Sequence, residues 1–432
     1  MKDIYEEIEK IGCVYIVIGG QYGSESKGLF ASHLCKEKNI EYAVRTGAIN
    51  AGHTVFYNGE EFKNQQIPVG WVNPETKLVI GAGAYVNPEI LQHEIEMIEK
   101  AIGQNLVDRL LIDKRAGTHL EKHREKSVGR HERMGTVGEG CSAALVERLR
   151  REEGCVLFKD IDYAKENNDK HFHIVDTVEG LNNAYDRGEQ ILLEGTQGTM
   201  LDVYLGHFPY TTSRQTIAAS WMAEVGLSPN LNTEIAMVCR TFPIRVAGNS
   251  GTMPQEISWV ELMREMNTKR WEMGMTPLVD DGYIQQFQDM IENISREWSL
   301  PNADFHLWTP ELRKIHSTEL ANIHGEVLKN LSNKVVVELK NVMEMTTVTK
   351  KVRRISRLDI GELKYAVKIN RPNYLVLFFL NYEFPEMYDM ARYQLHLKDN
   401  RIMDYIKNIE KQVGVPIRFI NWKPNQVAEI LV

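Results

Sequence analysis

Short apolar runs that suit buried strands alternate along this chain with longer runs whose apolar side chains have helical spacing. The first of them, Val14–Ile18, is β-branched or aromatic throughout, which is typical of a buried strand. Strands that alternate with helices form a largely parallel sheet with helices on its faces. The predicted strands are Val14–Ile18, Glu41–Arg45, Leu78–Ile80, Leu110–Asp113, Gln190–Leu193, Glu234–Arg240, Tyr374–Leu380, Val415–Ile420 and Val427–Val432. The predicted helices are Leu29–Lys38, Pro88–Ile102, Cys141–Arg151, Gln215–Val225 and Asn400–Val413. The pattern therefore predicts the α/β class, with a large, mostly parallel central sheet flanked by helices.

The pattern changes between Gln255 and about Leu331, where the chain is polar, has few glycine turns and is rich in Met, Trp and Glu. Two stretches there, Glu261–Met273 and Tyr283–Trp298, have the spacing of amphipathic helices. We expect residues 255–331 to form a helical insertion within a single domain that spans residues 1–432. The alternative is that they simply extend the main domain. Strand-like residues resume at Val335–Leu339.

The stretch after the first strand has the composition of a phosphate-binding loop. A glycine-rich turn, Gly19–Gly23, separates the strand from a helix. Backbone N–H groups at a helix N-terminus attract anions, and glycines let an anion come close to the backbone. Lys27 adds a full positive charge. We therefore expect a P-loop-like nucleotide-binding core, although the order here is Ser-Lys-Gly rather than the common Gly-Lys-Ser/Thr. The alternative is a plain glycine turn.

Two further stretches carry candidate chemistry. Asn50–Thr54 reads Asn-Ala-Gly-His-Thr and follows a predicted strand, so it would lie near the carboxyl ends of the sheet, where α/β proteins bind ligands. His53 is flanked by small residues and could reach a ligand; a surface histidine without a ligand is the alternative. The run Thr346–Arg357 is basic in an otherwise acidic chain, and arginine forks suit carboxylates and phosphates.

Composition narrows the class of partner. The formal net charge of −8 argues against a protein that coats nucleic acid, whereas a nucleotide needs only a local basic site. No apolar run approaches membrane-spanning length, and Met1–Lys10 is polar and acidic, unlike a signal peptide. The five cysteines are scattered and include no CxxC pair, which indicates reduced thiols. We therefore expect small-molecule substrates, no nucleic-acid or membrane partner, and a cytoplasmic location (the host cytoplasm if the chain is viral).

In this order, the motifs resemble those of the adenylosuccinate synthetase family. The family writes Gly-Gln-Trp-Gly-Asp-Glu-Gly-Lys-Gly-Lys where this chain has Gly20–Leu29, and its Asn-Ala-Gly-His-Thr is intact at Asn50–Thr54. Its Glu-Gly-Ala-Gln-Gly-Thr-Leu-Leu-Asp corresponds to Glu194–Asp202, and its Tyr-Pro-Tyr-Val-Thr-Ser to Phe208–Ser213. Its Thr-Thr-Gly-Arg-Pro-Arg-Arg matches Thr347–Arg354 loosely. The similarity runs from Val14 to the end of the chain, except for residues 255–331.

The resemblance implies a two-step reaction with Mg²⁺ as cofactor. The γ-phosphoryl group of a nucleoside triphosphate goes to O6 of a 6-oxopurine nucleotide, and the amine of aspartate then displaces phosphate at C6. By the resemblance, the catalytic residues are Ser24, His53 and Lys27. The triphosphate would be bound by Ser24, Glu25, Ser26, Lys27, Gly28, Gly52, His53, Thr54, Arg353 and Asn381, and the metal by Ser24 and the carbonyl of Gly52. The acceptor nucleotide would be bound by Ser24, Asn50, Thr136, Arg151, Gln197, Thr212 and Lys351. The aspartate would be bound by Thr346, Thr347, Thr349, Lys351 and Arg353.

In the family the arginine near Arg148–Arg151 comes from a neighbouring subunit, so the resemblance also implies a homodimer. Its position is assigned here to Arg151.

Two departures from the family pattern change the expected substrates. Ser24 replaces the aspartate that removes the purine N1 proton and helps to hold Mg²⁺. Serine is shorter and leaves room for a 2-amino group beside N1, and the same replacement marks phage-type relatives that use dGMP. The family reads the guanine of GTP with Thr-Lys-x-Asp, whereas this chain has Phe378–Asn381, so the guanine-pairing carboxylate is absent.

The sequence therefore predicts a ligase that joins dGMP to L-aspartate with ATP or dATP. The product would be 2-amino-2'-deoxyadenylosuccinate, which serves the synthesis of 2-aminoadenine DNA. Two alternatives stay open. One is ordinary adenylosuccinate synthesis from IMP with an altered base, and the other is a nucleotide-binding relative without activity.

Overall fold

The computed structural model describes residues 11–127, 138–246, 250–297, 326–345, 352–390, 400–423 and 426–430. Its strands, numbered in chain order, are β1 (Cys13–Gly19), β2 (Tyr42–Arg45), β3 (His53–Tyr57), β4 (Glu60–Asn64), β5 (Lys77–Ile80), β6 (Tyr85–Val86), β7 (Leu110–Asp113), β8 (Gly117–Thr118), β9 (His173–Val175), β10 (Gln190–Glu194), β11 (Thr233–Arg240), β12 (Ile244–Arg245), β13 (Glu256–Ile257), β14 (Arg354–Ser356), β15 (Tyr374–Phe378), β16 (Ile417–Lys423) and β17 (Gln426–Glu429).

The α-helices of the same residues are α1 (Lys27–Glu37), α2 (Pro88–Ile102), α3 (Glu121–Glu125), α4 (Cys141–Arg150), α5 (Asp162–Asn167), α6 (Thr177–Asp186), α7 (Ala218–Glu224), α8 (Trp259–Glu272), α9 (Asp281–Glu297), α10 (Asn333–Lys340), α11 (Ile360–Asn370), α12 (Leu380–Glu383) and α13 (Asn400–Val413). Short 3₁₀ helices lie at Val69–Val72, Phe158–Asp160, Thr199–Leu201 and Pro385–Tyr388.

A ten-stranded sheet organises the molecule, in the order β17-β16-β15-β11-β1-β10-β2-β5-β7-β9. Every neighbouring pair in it is parallel except the edge pair β16–β17. Strand β1 lies inside this sheet between β10 and β11, so its carboxyl end faces the loops of both neighbours. The prediction of a large, mostly parallel sheet is confirmed.

The strand β1 has a buried core on each side of it because its side chains alternate. Val14, Ile16 and Ile18 belong to one buried cluster, which also holds residues of α11 and α13. Val17 belongs to the other cluster, with Phe30 of α1 and Ile95 of α2. Both faces are apolar, as expected for a parallel strand covered by helices on both sides.

A third buried cluster joins α8, α9 and α10 to the small sheet β12-β14-β13. Helices α8 and α9 lie within residues 255–331, where we expected helices, and residues 298–325 lie outside the described part. Their core includes Ile244 and Ile355, which come from outside that range. The single-domain boundaries and the insertion as a unit stay predictions.

The strand expected at Val335–Leu339 is wrong, because these residues belong to helix α10. Val335 and Leu339 are buried four residues apart on one helical face, whereas Val337 is largely exposed. The β-branched run suggested a strand, but packing against the third cluster decides the local structure.

Most other predicted elements lie within two residues of the observed ones, and Pro88–Ile102, Leu110–Asp113 and Asn400–Val413 have the same bounds. The helix expected from Gln215 begins only at Ala218. The hairpin β3–β4, which carries His53, was not predicted. None of the described helices combines the length and the apolar character needed to cross a membrane.

Candidate active site

Most of the described residues that were predicted to bind nucleotides lie in loops at one edge of the central sheet. Loops that follow the carboxyl ends of β1, β2, β10, β11 and β15 meet there, because these strands are parallel neighbours. This is the edge at which open α/β sheets bind ligands. We call residues Gly20–Ser26, between β1 and α1, the nucleotide loop.

The nucleotide loop is closed on itself by Glu25. One carboxylate oxygen of Glu25 accepts from the backbone N–H of Gln21 at 3.1 Å and of Gly23 at 2.8 Å. The other accepts from Nζ of Lys27 at 2.8 Å, and Lys27 also donates to the carbonyl of Gly23 at 3.1 Å. Both charged side chains are only 1% exposed. An internal carboxylate thus holds the donors that a phosphate would otherwise bind.

Gly28 lets α1 approach the strand that carries His53. A Cβ at Gly28 would lie 2.6 Å from Cβ of His53 and 3.1 Å from the carbonyl oxygen of Thr54. Real atoms do not approach this closely, so any side chain at position 28 would push the loop and the histidine apart. Gly28 therefore allows Lys27 and His53, two of the catalytic candidates, to lie close together.

His53 is held by a buried carboxylate. Its Nδ1 lies 2.5 Å from Oε1 of Glu194, which also accepts from Nη1 of Arg45 at 2.7 Å, while Oε2 accepts from the backbone N–H of Val69 at 2.8 Å. Burial would raise the pKa of Glu194, but Arg45 and His53 hold that pKa below its usual value. An ionised carboxylate only accepts, so Nδ1 of His53 is the donor.

Burial, reinforced by Arg45, lowers the pKa of His53 to about 4 against the opposing effect of Glu194. The ring is therefore neutral at pH 7 in the free protein. With its proton on Nδ1, it presents Nε2, which has no hydrogen-bond partner among the described residues, to whatever binds beside it. An anion there would raise the pKa of His53 and favour protonation of Nε2.

Ser24 is bound by an arginine from the basic run. Arg353 donates from Nη1 to Oγ of Ser24 at 2.8 Å, and Arg240 donates to the carbonyl of Ser24 at 2.9 Å. Arg240 is itself paired with Glu344, and its guanidinium lies 3.5 Å from the ring centroid of Phe379. The fold thus brings Arg353 across 329 residues of sequence to the nucleotide loop.

Of the residues predicted to bind the acceptor nucleotide, Gln197, Asn50 and Thr212 lie in the neighbouring loops. Gln197 has φ 62° and its side chain lies beside Gly23, within 3.2 Å of the position a Cβ would take there. Asn50 lies in the turn before β3, and Thr212 is tied by its N–H to the carbonyl of Leu201 at 2.8 Å. Thr136, Thr346, Thr347, Thr349 and Lys351 lie outside the described residues.

Arg151 is exposed and follows the end of α4, with φ 57°. Within the same chain it is Arg148 that turns inward, because its Nη1 donates to the carbonyl of Arg115 at 2.8 Å. The role of Arg151 toward a second subunit stays a prediction.

Asn381, one of the residues predicted to bind the triphosphate, lies just after β15. It is buried, and its side chain forms a hydrogen bond with the hydroxyl of Tyr388. Its Oδ1 is buried without a partner among the described residues. The acceptor oxygen is thus left over where the family has a carboxylate.

A family model for adenylosuccinate synthetase matches residues 16–160 and 155–278 of this chain. The chain belongs to the adenylosuccinate synthetase family. The adenylosuccinate synthetase of Methanocaldococcus jannaschii is 41% identical over 252 residues, which is 57% of this chain and 69% of that protein. Members of the family are nucleotide-binding carbon–nitrogen ligases of purine biosynthesis that depend on a nucleoside triphosphate.

Two solved structures of this fold cover nearly the whole chain. The fully ligated adenylosuccinate synthetase of Plasmodium falciparum has a TM-score of 0.68 at 17% identity and covers 96% of this chain and 98% of that one. The succinoaminodeoxyadenylate synthetase of cyanophage S-2L, bound to dGMP and dATP as energy donor, has a TM-score of 0.65 at 20% identity and covers 97% and 95%. The shared fold does not by itself choose between their substrates.

Sequence reasoning missed several buried partners of this adenylosuccinate synthetase-like site. Arg45, Arg240 and Glu194 each occupy the last position of a strand in the central sheet. A charged residue that ends an otherwise apolar strand is expensive to bury, and that is the signal that could have marked them.

Proposed function

We propose that this chain condenses dGMP with L-aspartate, using ATP or dATP and Mg²⁺, to give 2-amino-2'-deoxyadenylosuccinate, a nucleoside diphosphate and phosphate. The γ-phosphoryl group is transferred to O6 of the guanine, and the aspartate amine attacks C6. The C6–O6 bond then breaks, and O6 leaves with the phosphate.

The observation that carries the proposal is Ser24 at the place of the family's aspartate, bound by Arg353. A hydroxyl oxygen has two lone pairs and one proton. Arg353 uses one lone pair, so the second can accept from the 2-amino group of guanine while the proton goes to an acceptor. Hypoxanthine has no such amino group. A carboxylate at position 24 would be longer and would pair with Arg353 instead.

The N1 proton then needs another acceptor. Glu25 is unsuited, because its side chain is buried and Oε1 is held by the backbone N–H groups of Gln21 and Gly23, contacts that do not depend on Lys27. Two acceptors remain: a water molecule held by Ser24, or an oxygen of the donor phosphate. Both keep Ser24 as a positioning group rather than a base.

His53 acts at O6. The phosphates of the donor and the charge that develops on O6 favour protonation of Nε2, and Glu194 stabilises the resulting cation through Nδ1. Lys27 must leave Glu25 to reach the triphosphate, so we expect donor binding to open the nucleotide loop.

The residues present suit a metal that arrives with the nucleotide. In the described ranges no three His, Cys, Asp or Glu side chains converge on a possible metal position. Ser24 and Gly52 are the metal ligands that the family resemblance implies. Once Arg353 and a 2-amino group donate to Oγ of Ser24, this oxygen has no lone pair left for a metal. The carbonyl of Gly52 would then be the protein ligand, which fits Mg²⁺ because this ion binds substrate phosphates and keeps several waters. Bound there, Mg²⁺ would neutralise charge on the transferring phosphoryl group.

An adenine nucleotide is the proposed donor because Asn381 offers an amide where guanine needs a carboxylate. The cyanophage enzyme of the same fold was solved with dGMP and dATP, which supports the same pair of substrates here. The homodimer, with Arg151 reaching a neighbouring subunit, and the cytoplasmic location are parts of the same proposal.

A second candidate is adenylosuccinate synthesis from IMP. It is favoured by the 41% identity to an archaeal adenylosuccinate synthetase over more than half of the chain. Ser24 tells against it, because its hydroxyl suits a 2-amino group that hypoxanthine lacks. The missing carboxylate does not distinguish the two reactions, since N1 carries a proton in both bases.

The deciding experiment is product analysis with dGMP, GMP and IMP, each with ATP and with GTP. We expect the succinylated product of dGMP with ATP and little or none of that from IMP. Ser24→Asp should lower turnover of dGMP. Its control is Ser24→Ala, which removes the hydroxyl without adding a charge. If the wild-type protein prefers IMP, the second candidate is correct. If no nucleotide reacts, the chain is a nucleotide-binding relative.

A further inference from the structure

Arg214 offers a buried N–H group that nothing in the described part of the chain uses. Its Nη2 is anchored twice, by the carbonyl of Gly83 at 2.9 Å and by Oε2 of Glu224 at 2.6 Å. Its Nη1 is buried without a hydrogen-bond partner among the described residues. Leaving a charged donor unsatisfied costs more than a neutral one, so the group calls for a ligand.

Nη1 lies beside the loops that build the acceptor side of the site. A Cβ at Gly47 would be 3.7 Å from it and 3.4 Å from Oγ1 of Thr196. Gly47 has φ 109° and belongs to the turn that leads to Asn50, and Thr196 precedes Gln197. We call Gly47, Thr196 and Arg214 the acceptor wall. The backbone of Gly47, the hydroxyl of Thr196 and the guanidinium of Arg214 therefore surround one small space.

The chemistry of the wall suits a phosphate. Thr211, Thr212 and Ser213 precede Arg214 and are all half-buried, so three hydroxyl-bearing residues lie next to the arginine in sequence. Hydroxyls, backbone N–H groups and arginine forks are the usual ligands of phosphate. A charged guanidinium fixed on one side by Glu224 cannot turn away, which makes Nη1 a directed donor.

The charges around Tyr85, next to the wall, leave an excess of positive charge. The guanidinium of Arg214 lies 6.0 Å from the ring centroid of Tyr85. Burial raises the pKa of the Tyr85 phenol, while Arg148 and Arg214 oppose that rise and Cys155 and Glu224 reinforce it. Glu224 pairs with Arg214, and the hydrogen bond of Arg148 among the described residues goes to a backbone carbonyl, so Arg148 leaves one positive charge in excess, which favours an anion.

We propose that Arg214 binds the 5'-phosphate of the acceptor nucleotide through Nη1 and sets its position within the same chain. The inference rests on the acceptor being a nucleoside monophosphate, which both candidate reactions share. It does not depend on whether the base is guanine or hypoxanthine.

The test compares wild type, Arg214→Met and Arg214→Lys. Lysine can keep the ion pair with Glu224, but its single nitrogen leaves no second donor in place of Nη1. We expect both variants to raise KM for the reacting nucleotide, dGMP or IMP, by about 10- to 100-fold, with little change in KM for ATP or aspartate. Arg187→Met is the matched control, because Arg187 is ion-paired with Glu189 on the exposed surface.

A second measurement separates phosphate binding from a structural role. Isothermal titration with dGMP, IMP and the corresponding nucleosides gives the gain in affinity that the phosphate provides. This gain should shrink in Arg214→Lys while the melting temperature stays near that of wild type. If KM for all three substrates rises together, or if the gain is unchanged, Arg214 is structural and the inference is wrong. Because titration needs no turnover, it decides the point even where neither dGMP nor IMP reacts.

Discussion

The two sides of the site treat their polar groups in opposite ways. In the nucleotide loop, Glu25 satisfies two backbone N–H groups and pairs with Lys27, so the free loop is complete without a ligand. On the acceptor side, Nη1 of Arg214 is buried without a partner among the described residues. His53 likewise presents Nε2 with no partner in the same part of the chain. The polar groups of the nucleotide loop are thus paired before a ligand binds, whereas the acceptor side keeps unpaired groups that a ligand can use.

This difference separates two ways of binding an anion. A donor phosphate must displace an internal carboxylate, so part of its binding energy opens the loop. An acceptor phosphate would complete a hydrogen bond that is missing, so its binding requires no internal bond to break. We therefore expect the acceptor to bind a largely preformed site and the donor to bind by a rearrangement of Lys27. The predictions that follow test this contrast, from the largest expected effect to the smallest.

Replacement of His53 should have the largest effect on turnover. His53→Ala removes the group that would donate to O6, and a positioned acid or base typically contributes about 10²- to 10⁴-fold. Because Nε2 is proposed to act on charge that develops only in the transition state, KM for the acceptor should change much less than kcat. Steady-state kinetics measure both constants.

The matched control is His173→Ala, since His173 also bonds a carboxylate through Nδ1, that of Asp169 at 2.6 Å, but on the edge strand β9. This control should retain full activity. Unchanged kcat in His53→Ala would remove His53 from the chemistry and leave the acceptor side of the site as a binding surface only.

Glu194→Gln should lower stability in a pH-dependent way. It leaves Arg45 buried without its carboxylate, which costs about 3 kcal/mol at pH 7. The lowered pKa of Glu194 means that its contribution is complete above the unfolded pKa of about 4.3 and is lost as the pH falls further. Glu194 contacts Arg45, His53 and the backbone N–H of Val69 in the folded protein, and these contacts are lost on unfolding.

Urea unfolding of wild type and Glu194→Gln at pH 7, 5 and 4 measures this effect. The difference in the free energy of unfolding should be constant between pH 7 and 5 and should shrink below about pH 4.3. A difference that does not vary with pH would show that Glu194 is not ionised in the fold, and Nδ1 of His53 would then lose its assigned role as donor.

The sequence predicted the frame of the site because the frame depends on local patterns. Runs of three to seven residues marked the strands, and Gly20–Ser26 and Asn50–Thr54 mark loops that the fold does bring to one sheet edge. Long-range pairing was beyond such patterns. Nothing near Arg353 in sequence indicates that it binds Ser24, because that contact depends on the sheet order and on the packing of β14 beside β13.

Arg214 illustrates the remaining gap. In the sequence it is one arginine among many, and only its two anchors and its unused Nη1 distinguish it. Conversely, the apolar run Val335–Leu339 looked like a strand because the residues are β-branched, and the burial of only one helical face shows why it is not. Local composition predicts an element well where both of its faces are buried, and poorly where only one stripe of side chains along a helix is buried.

The smallest expected effect concerns the base of the phosphoryl donor. Like Nη1 of Arg214, Oδ1 of Asn381 is buried without a partner among the described residues, although Asn381 is predicted to lie on the donor side. Asn381→Asp would introduce a carboxylate that can pair with N1–H and N2–H₂ of guanine. We expect kcat/KM for GTP relative to ATP to rise by about tenfold, the worth of one charge-assisted hydrogen bond. Asn267→Asp is the control, because Asn267 is equally buried but bonds Val279 and Leu278 in the helical part of the chain. If neither variant changes the ratio, Asn381 does not face the donor base. If wild type already prefers GTP, the adenine-nucleotide proposal is wrong whatever the variants do.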